Sequence, residues 1–215
     1  MTLINKIQAE VDGVLEKIDE SQLEEAAKLI QPQTPLFADG EGRSGLQAKG
    51  FAMRLMHVGF KPWVIGETVT PSLRKGDVYL GVSGSGKTPG TVTNARRAKE
   101  MGLKVIAVTS KADSPLAECA DAVIIIPGRV KQDSAAGSIQ LLSSLFDQCT
   151  HIALDALCLM LAEREKVSDA DVQHPPGQQT ALPLPLAPPG GPPLPPPLPL
   201  SGRTSGHGTE FLPLR

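Results

Sequence analysis

Little in this chain could stack against a nucleobase. One tryptophan, one tyrosine and five phenylalanines are spread over 215 residues, so an aromatic platform for single-stranded nucleic acid is excluded. Charge of one sign is lacking too. Lys and Arg number 21 against 23 Asp and Glu, for a formal net charge of −2, and no basic run breaks that balance; the electrostatic footprint of a phosphate-backbone binder is missing. The three cysteines, Cys119, Cys149 and Cys158, are odd in number and form no CxxC pair, which suits a reducing compartment where thiols pack as small apolar groups. The start, Met1-Thr2-Leu3-Ile4-Asn5-Lys6, lacks the apolar run of a signal peptide. No stretch reads as the ~20 apolar residues of a membrane span. These absences point to a soluble, cytoplasmic protein with neither nucleic acid nor membrane as partner.

What is present is unevenly distributed. Seven prolines precede Gln173 and thirteen follow it, almost without accompanying charge. Three regions result: an N-terminal helical segment over 1–34, an α/β domain over 35–173, and a Pro/Leu-rich tail over 174–215. In the first, Leu3, Ile4, Ile7, Val11, Val14, Leu15 and Ile18 recur at helical spacing. Ser21-Gln22-Leu23-Glu24 reads as a capping box that restarts a helix through Ile30; both helices are expected to cover a sheet or an interface. The tail has no periodicity and no means of building a ladder or a helix, so it reads as disordered or polyproline-like. Its abrupt onset at His174-Pro175-Pro176 has the look of an out-of-frame or read-through extension.

From Pro35 short apolar runs alternate with amphipathic segments. Strands are expected at Leu36–Ala38, Trp63–Ile65, Val78–Val82, Lys104–Val108 and Ala122–Ile126, and helices at Ser44–Val58, Thr91–Met101, Ser114–Cys119 and Ser138–Arg164. The strands are mostly unbroken apolar runs, which means that both faces are covered. Strands separated by helices imply right-handed crossovers and a doubly wound, five-stranded parallel sheet flanked by helices. Ligands of such sheets bind at the carboxyl ends of the strands.

Two loops stand at such ends. Gly40-Glu41-Gly42-Arg43-Ser44-Gly45 follows the first strand and Ser83-Gly84-Ser85-Gly86-Lys87-Thr88 follows the third. Each leads into a helix whose N-terminus offers free N–H groups and a positive dipole end to an anion. Glycine lets the backbone approach, and hydroxyls complete the hydrogen bonding. The second loop, extended to Gly81, also fits the P-loop pattern GxxxxGK[ST], so an ATP-binding protein is the rival reading. Against it, no later strand ends in an aspartate for Mg²⁺, and Pro89-Gly90 continues such a helix poorly.

Gly42-Arg43-Ser44-Gly45, Phe51-Ala52-Met53-Arg54-Leu55-Met56-His57, Gly66-Glu67-Thr68-Val69-Thr70-Pro71 and Ser83-Gly84-Ser85-Gly86, taken in this order, resemble the sugar isomerase (SIS) domain family, and within it the 6-phospho-3-hexuloisomerase branch. The likeness covers residues 3–173. It implies interconversion of 3-hexulose 6-phosphate and fructose 6-phosphate through an enediol, in the ribulose monophosphate pathway of formaldehyde fixation. It also implies no metal or organic cofactor, and a homotetramer with sites near subunit boundaries. By position, Ser44, Ser83, Ser85 and Thr88, with the backbone of Gly84 and Gly86, would hold the phosphate, and Lys87 would suit it. Asp147, in Leu145-Phe146-Asp147-Gln148, stands where the family has its glutamate base. Lys131, just upstream, is a further candidate for contact with the substrate.

Three departures from the family's pattern accompany the likeness. Asp147 is one methylene shorter than glutamate, Lys87 replaces a glutamate, and the closing Arg-His-Ala-Asn-Leu-Glu-like segment gives way to Pro175-Pro176, leaving His174 too early to serve as its histidine. They keep open a second reading, a phosphosugar-binding protein on the same fold without turnover. Glu67 is open between facing the sugar and capping Thr68 or Thr70. His57 reads as a core or interface histidine, Cys149 as a packed thiol, and His151, four residues after Asp147, as able to share its helix face.

Overall fold

The last helix forms around what it buries. In the computed structural model, which describes residues 1–131, 133 and 137–173, α6 runs over Ser144–Glu165 and buries Leu145, Phe146, Cys149, Ala153, Leu154, Leu157, Cys158 and Leu161. By length and composition this helix, unlike any stretch expected from the sequence, could cross a membrane. Its apolar residues are instead spent on packing: α6 lies against α3 (Gly42–His57), α1 (Leu3–Leu15) and α2 (Glu20–Leu29).

These four helices cover one face of a five-stranded, wholly parallel sheet in the order β2-β1-β3-β4-β5. The strands are β1 Leu36–Gly40, β2 Pro62–Val64, β3 Val78–Val82, β4 Lys104–Thr109 and β5 Ala122–Ile125. α4 (Pro89–Glu100) and α5 (Pro115–Glu118) lie on the other face. The central strands show why an unbroken apolar run means two covered faces. Val78, Leu80 and Val82 of β3, with Ile106 and Val108 of β4, enter the larger core beneath α1, α2, α3 and α6. Tyr79, Val105 and Ala107, between them in sequence, enter the smaller core beneath α4 and α5. Each fully buried Val, Leu or Ile contributes about 1.5–3 kcal/mol.

The expected boundaries shift for local reasons. The α2 cap is Asp19, whose carboxylate accepts from Ser21 N at 3.0 Å and Ser21 Oγ at 2.7 Å; an aspartate two residues earlier does what was expected of Ser21. The edge strand starts at Pro62, a position where a missing N–H costs no ladder bond. The last helix begins at Ser144 rather than Ser138, because Leu142 takes a left-handed conformation (φ 54°) and the polar side chains before it bond elsewhere. Residues 174–215, with the tail and its histidines, lie outside the described residues.

Sheet order and crossovers together place the topological switch point between β1 and β3, the two central neighbours whose connections leave in opposite directions. The loops Gly40–Gly45 and Ser83–Thr88 flank it. Close approach there depends on glycine: a methyl group on Gly45 would overlap the carbonyl of Gly40, so α3 seats directly on the end of β1.

Candidate active site

At the switch point an open cleft of about 550 Å³ lies between four segments. The loop after β1 lends Arg43 and Ser44, and the loop after β3 lends Gly84, Ser85, Lys87 and Thr88. Lys131, Leu142 and Ser143 come from the segment ahead of α6, and Asp147 from the first turn of α6 itself. Arg43, Lys87 and Lys131 set three positive charges in the walls against Glu41 and Asp147.

The β3 loop is a closed turn. Gly86 N donates to the Ser83 carbonyl at 2.9 Å, and the Gly84 carbonyl accepts from Ser110 N at 3.0 Å and Ser110 Oγ at 2.7 Å. Gly86 has φ 63°, and a β-carbon there would collide with Ser114. Its own N–H is thus used inside the turn, and its part in the loop is conformational. Ser83 is buried below the cleft floor; its Oγ lies 2.8 Å from Thr88 Oγ1 and braces that hydroxyl. Ser85 and Thr88 are the hydroxyls that reach the cleft.

Helix α4 begins only after this turn, with Thr88 at its N-cap and Pro89 as its first residue. In a P-loop the lysine and hydroxyl residue open the helix, so that its amides and the lysine hold the phosphates and the hydroxyl holds Mg²⁺. Here both precede it. Nor do β4 and β5 end in a carboxylate: their last residues are Thr109 and Ile125. Asp39, at the end of β1, is occupied by Tyr79 OH (2.6 Å), Asn94 Nδ2 (3.0 Å) and Gly40 N (2.8 Å).

On the opposite wall Asp147 is almost fully buried, at 1% exposure. Ser44 Oγ donates to its Oδ1 at 3.1 Å, and Arg43 Nε lies 3.2 Å from its Oδ2. Arg43 also donates from Nη1 to Ser144 Oγ at 3.2 Å. Burial drives the Asp147 carboxyl above its ordinary range, and the bond from Ser44 and the charge of Arg43 offset that only in part. The arrangement is a carboxylate poised nearer neutrality, facing a cleft lined with donors.

The structure brings Ser44, Gly84, Ser85, Lys87, Thr88, Lys131 and Asp147 to one cleft, and sets Ser83 and Gly86 behind it in support. Sequence reasoning missed Arg43 as a partner of Asp147, and Leu142 and Ser143 as cleft wall. A guanidinium beside Ser44 was the available signal, but its partner lies a hundred residues on. Glu67 is not part of this cleft wall; its carboxylate pairs with Lys49 at 2.6 Å. His151 lines the same shallow surface as Asp147 and Gln148, and its Nε2 lies 3.5 Å from Asp155 Oδ2. Cys149 is a packed thiol, pushed up by burial to about 11. Among the described residues no cluster of His, Cys, Asp and Glu could hold a metal ion.

A parallel sheet with a hydroxyl-rich turn and a buried carboxylate facing each other across its switch point defines a doubly wound α/β protein with its cleft at the carboxyl ends of the strands. The sequence model of the SIS domain matches residues 29–160, and the chain belongs to the SIS domain family. A 3-hexulose-6-phosphate isomerase of Mycobacterium gastri is 39% identical over 165 residues, covering 76% of this chain and 83% of its own. The enzyme of the same name from Bacillus subtilis is 39% identical over 150 residues, covering 69% and 81%. A Methanococcus jannaschii protein, for which a 3-hexulose-6-phosphate isomerase function was inferred from its crystal structure, superposes with a TM-score of 0.68 at 28% identity; the match covers 79% of this chain and 94% of that one.

Proposed function

We propose that this protein is a sugar-phosphate isomerase that interconverts 3-hexulose 6-phosphate and fructose 6-phosphate. The observation that carries the reading is Asp147: a buried carboxylate, tethered by Ser44 and Arg43, opposite a turn built for an anion. The phosphate docks against Ser85, Thr88 and Lys87 at the start of α4, where the helix dipole favours negative charge. The sugar carbons then extend across the cleft toward α6. Asp147 removes the proton from C2 while O3 gains one, giving the 2,3-enediol; Asp147 then returns its proton at C3 while O2 gives one up and the carbonyl forms at C2. A carboxyl raised toward the working pH is suited to both transfers. Lys131, in the wall of the same cleft, donates to the oxygens that carry developing charge. The names of the relatives at 39% identity support the substrate.

A homotetramer is part of the proposal. Leu46 and Met53 on α3, with Ile152 and Leu159 on α6, are exposed on two helices that pack side by side, an apolar stripe that copies of the chain would cover.

The second reading, binding without turnover, is favoured by one feature: aspartate brings its carboxylate about 1 Å less far than glutamate, and a misplacement of that size costs about 10²-fold in rate. A coupled assay for fructose 6-phosphate, starting from enzymatically made 3-hexulose 6-phosphate, separates the two. Turnover by the wild type that falls by ~10²–10⁴-fold in Asp147→Asn is the expected result. No turnover, with fructose 6-phosphate still raising the melting temperature, would replace the isomerase by the binding protein.

A further inference from the structure

The loop before α6 closes the cleft with Leu142 and Ser143, yet its apolar side chains do not hold it in place. Ile139, Leu141 and Leu142 are 55%, 79% and 68% exposed. What faces inward is polar, and it converges on one carboxylate from the first helix. Glu10 Oε2 accepts from Ser138 Oγ at 2.7 Å and from Gln140 Nε2 at 3.1 Å, while Oε1 accepts from Ile139 N at 2.7 Å. Arg129 adds a bond from Nη1 to the Gln140 carbonyl at 2.8 Å. Glu10 itself stands on a fixed support, since its neighbour Val11 is buried in the main core. Burial alone would raise its carboxyl, but the three hydrogen bonds and the charge of Arg129 outweigh this and hold it below the ordinary range.

The loop passes this constraint to the site. Leu142 is held at φ 54°, a conformation that a branched side chain keeps only where its surroundings impose it. Ser143 follows. Its carbonyl accepts the N–H of Asp147 at 2.9 Å, and its Oγ accepts the N–H of Lys131 at 3.2 Å. One residue thus sets the first turn that carries Asp147 and the backbone that carries Lys131.

We infer that Glu10 is a positioning residue of the active site: it latches the 137–143 loop, and through Ser143 it fixes where Asp147 and Lys131 stand. The inference rests on the isomerase reading for its kinetic part and on the bonds alone for its structural part. It is tested with the full chain as Glu10→Ala and Glu10→Gln, following amide exchange, melting temperature, kcat and KM. The glutamine keeps an acceptor for Ile139 N, but its NH₂ then stands in place of Oε2 and accepts from neither Ser138 nor Gln140.

In Glu10→Ala, amides of residues 137–143 should exchange about tenfold faster or more while those of β3 and β4 are unchanged. kcat should fall about tenfold, less than the ~10²-fold of a full 1 Å misplacement, with KM within about threefold. Glu10→Gln should lie between the wild type and Glu10→Ala. Unchanged exchange overturns the latch, and faster exchange with unaltered kcat overturns the positioning role. Uniformly faster exchange with a collapse in melting temperature also overturns it, because Glu10 would then support the fold as a whole. A wild type without turnover sinks the isomerase reading, and exchange still decides the latch.

Discussion

Removing the Arg43 guanidinium should show how the cleft keeps a buried carboxylate charged. In Arg43→Met the length of the side chain is kept, and Asp147 is left with the Ser44 hydroxyl as its remaining side-chain partner in the cleft. The charges sit 3.2 Å apart, but Arg43 is 58% exposed, so water screens the pair from one side. Coulomb's law at that separation gives about 1.3 kcal/mol in bulk water and several times more at a protein-like dielectric. Discounted for the exposed partner, about 1–2 kcal/mol is the reasonable range.

The carboxyl already titrates above its ordinary value, and the substitution should raise it further. A group with a raised folded-state pKa stabilises the fold fully below its unfolded pKa and loses that contribution as pH rises through its folded pKa. Arg43→Met should therefore be destabilised by about 1–2 kcal/mol above both folded pKa values. The gap should narrow on acidification and close below the wild-type value. In the coupled assay the acid limb of kcat/KM, which reports the free enzyme's base, should move to higher pH. Urea unfolding at several pH values and the rate profile test both, with Asp147→Asn as the second background. A gap that does not change with pH, or one that survives in Asp147→Asn, would refute the reasoning and make Arg43 a packing residue.

Three further perturbations follow from the geometry. Tyr79→Phe removes the hydroxyl that donates to buried Asp39 at 2.6 Å, and should cost about 1–3 kcal/mol in urea unfolding; a neutral result would mean that Asn94 and Gly40 N suffice. Gly86→Ala forces a side chain into φ 63° against Ser114, and should cost at least about 1–2 kcal/mol, with loss of protection by inorganic phosphate in a melting assay. Unchanged melting would show that the turn can relax. Ser85→Ala should weaken fructose 6-phosphate binding directly, and Ser83→Ala less so, because Ser83 acts by bracing Thr88 at 2.8 Å; the reverse order, by titration calorimetry, would contradict the placement of the two hydroxyls.

Much of the fold was legible along the chain because its signals are local. Apolar runs such as Val78–Val82 and Lys104–Thr109 mark two-sided strands, and the glycines and hydroxyls of Ser83–Thr88 mark an anion turn wherever a strand precedes them and a helix follows. The P-loop pattern in the same stretch shows the limit of local evidence. Only the helix start at Pro89, set by proline's preference for the first turn, tells a turn that precedes its helix from one that runs into it. Ser138 likewise failed as a helix start because Glu10, far away in sequence, takes its hydroxyl.

By itself, then, the sequence determined the strand and helix alternation, which rests on apolar spacing within one strand or one helix, while Asp147 was marked only by its place in a family-like motif and the turn residues only by their local chemistry. Tertiary structure alone decided who meets whom across the cleft. Arg43 and Ser44 reach Asp147, and Glu10 reaches Ser138 and Gln140, only because a parallel sheet with crossovers gathers the carboxyl ends of its strands at one edge and seats α1, α3 and α6 together. Such pairings depend on distance in space, and no periodicity in the chain encodes it.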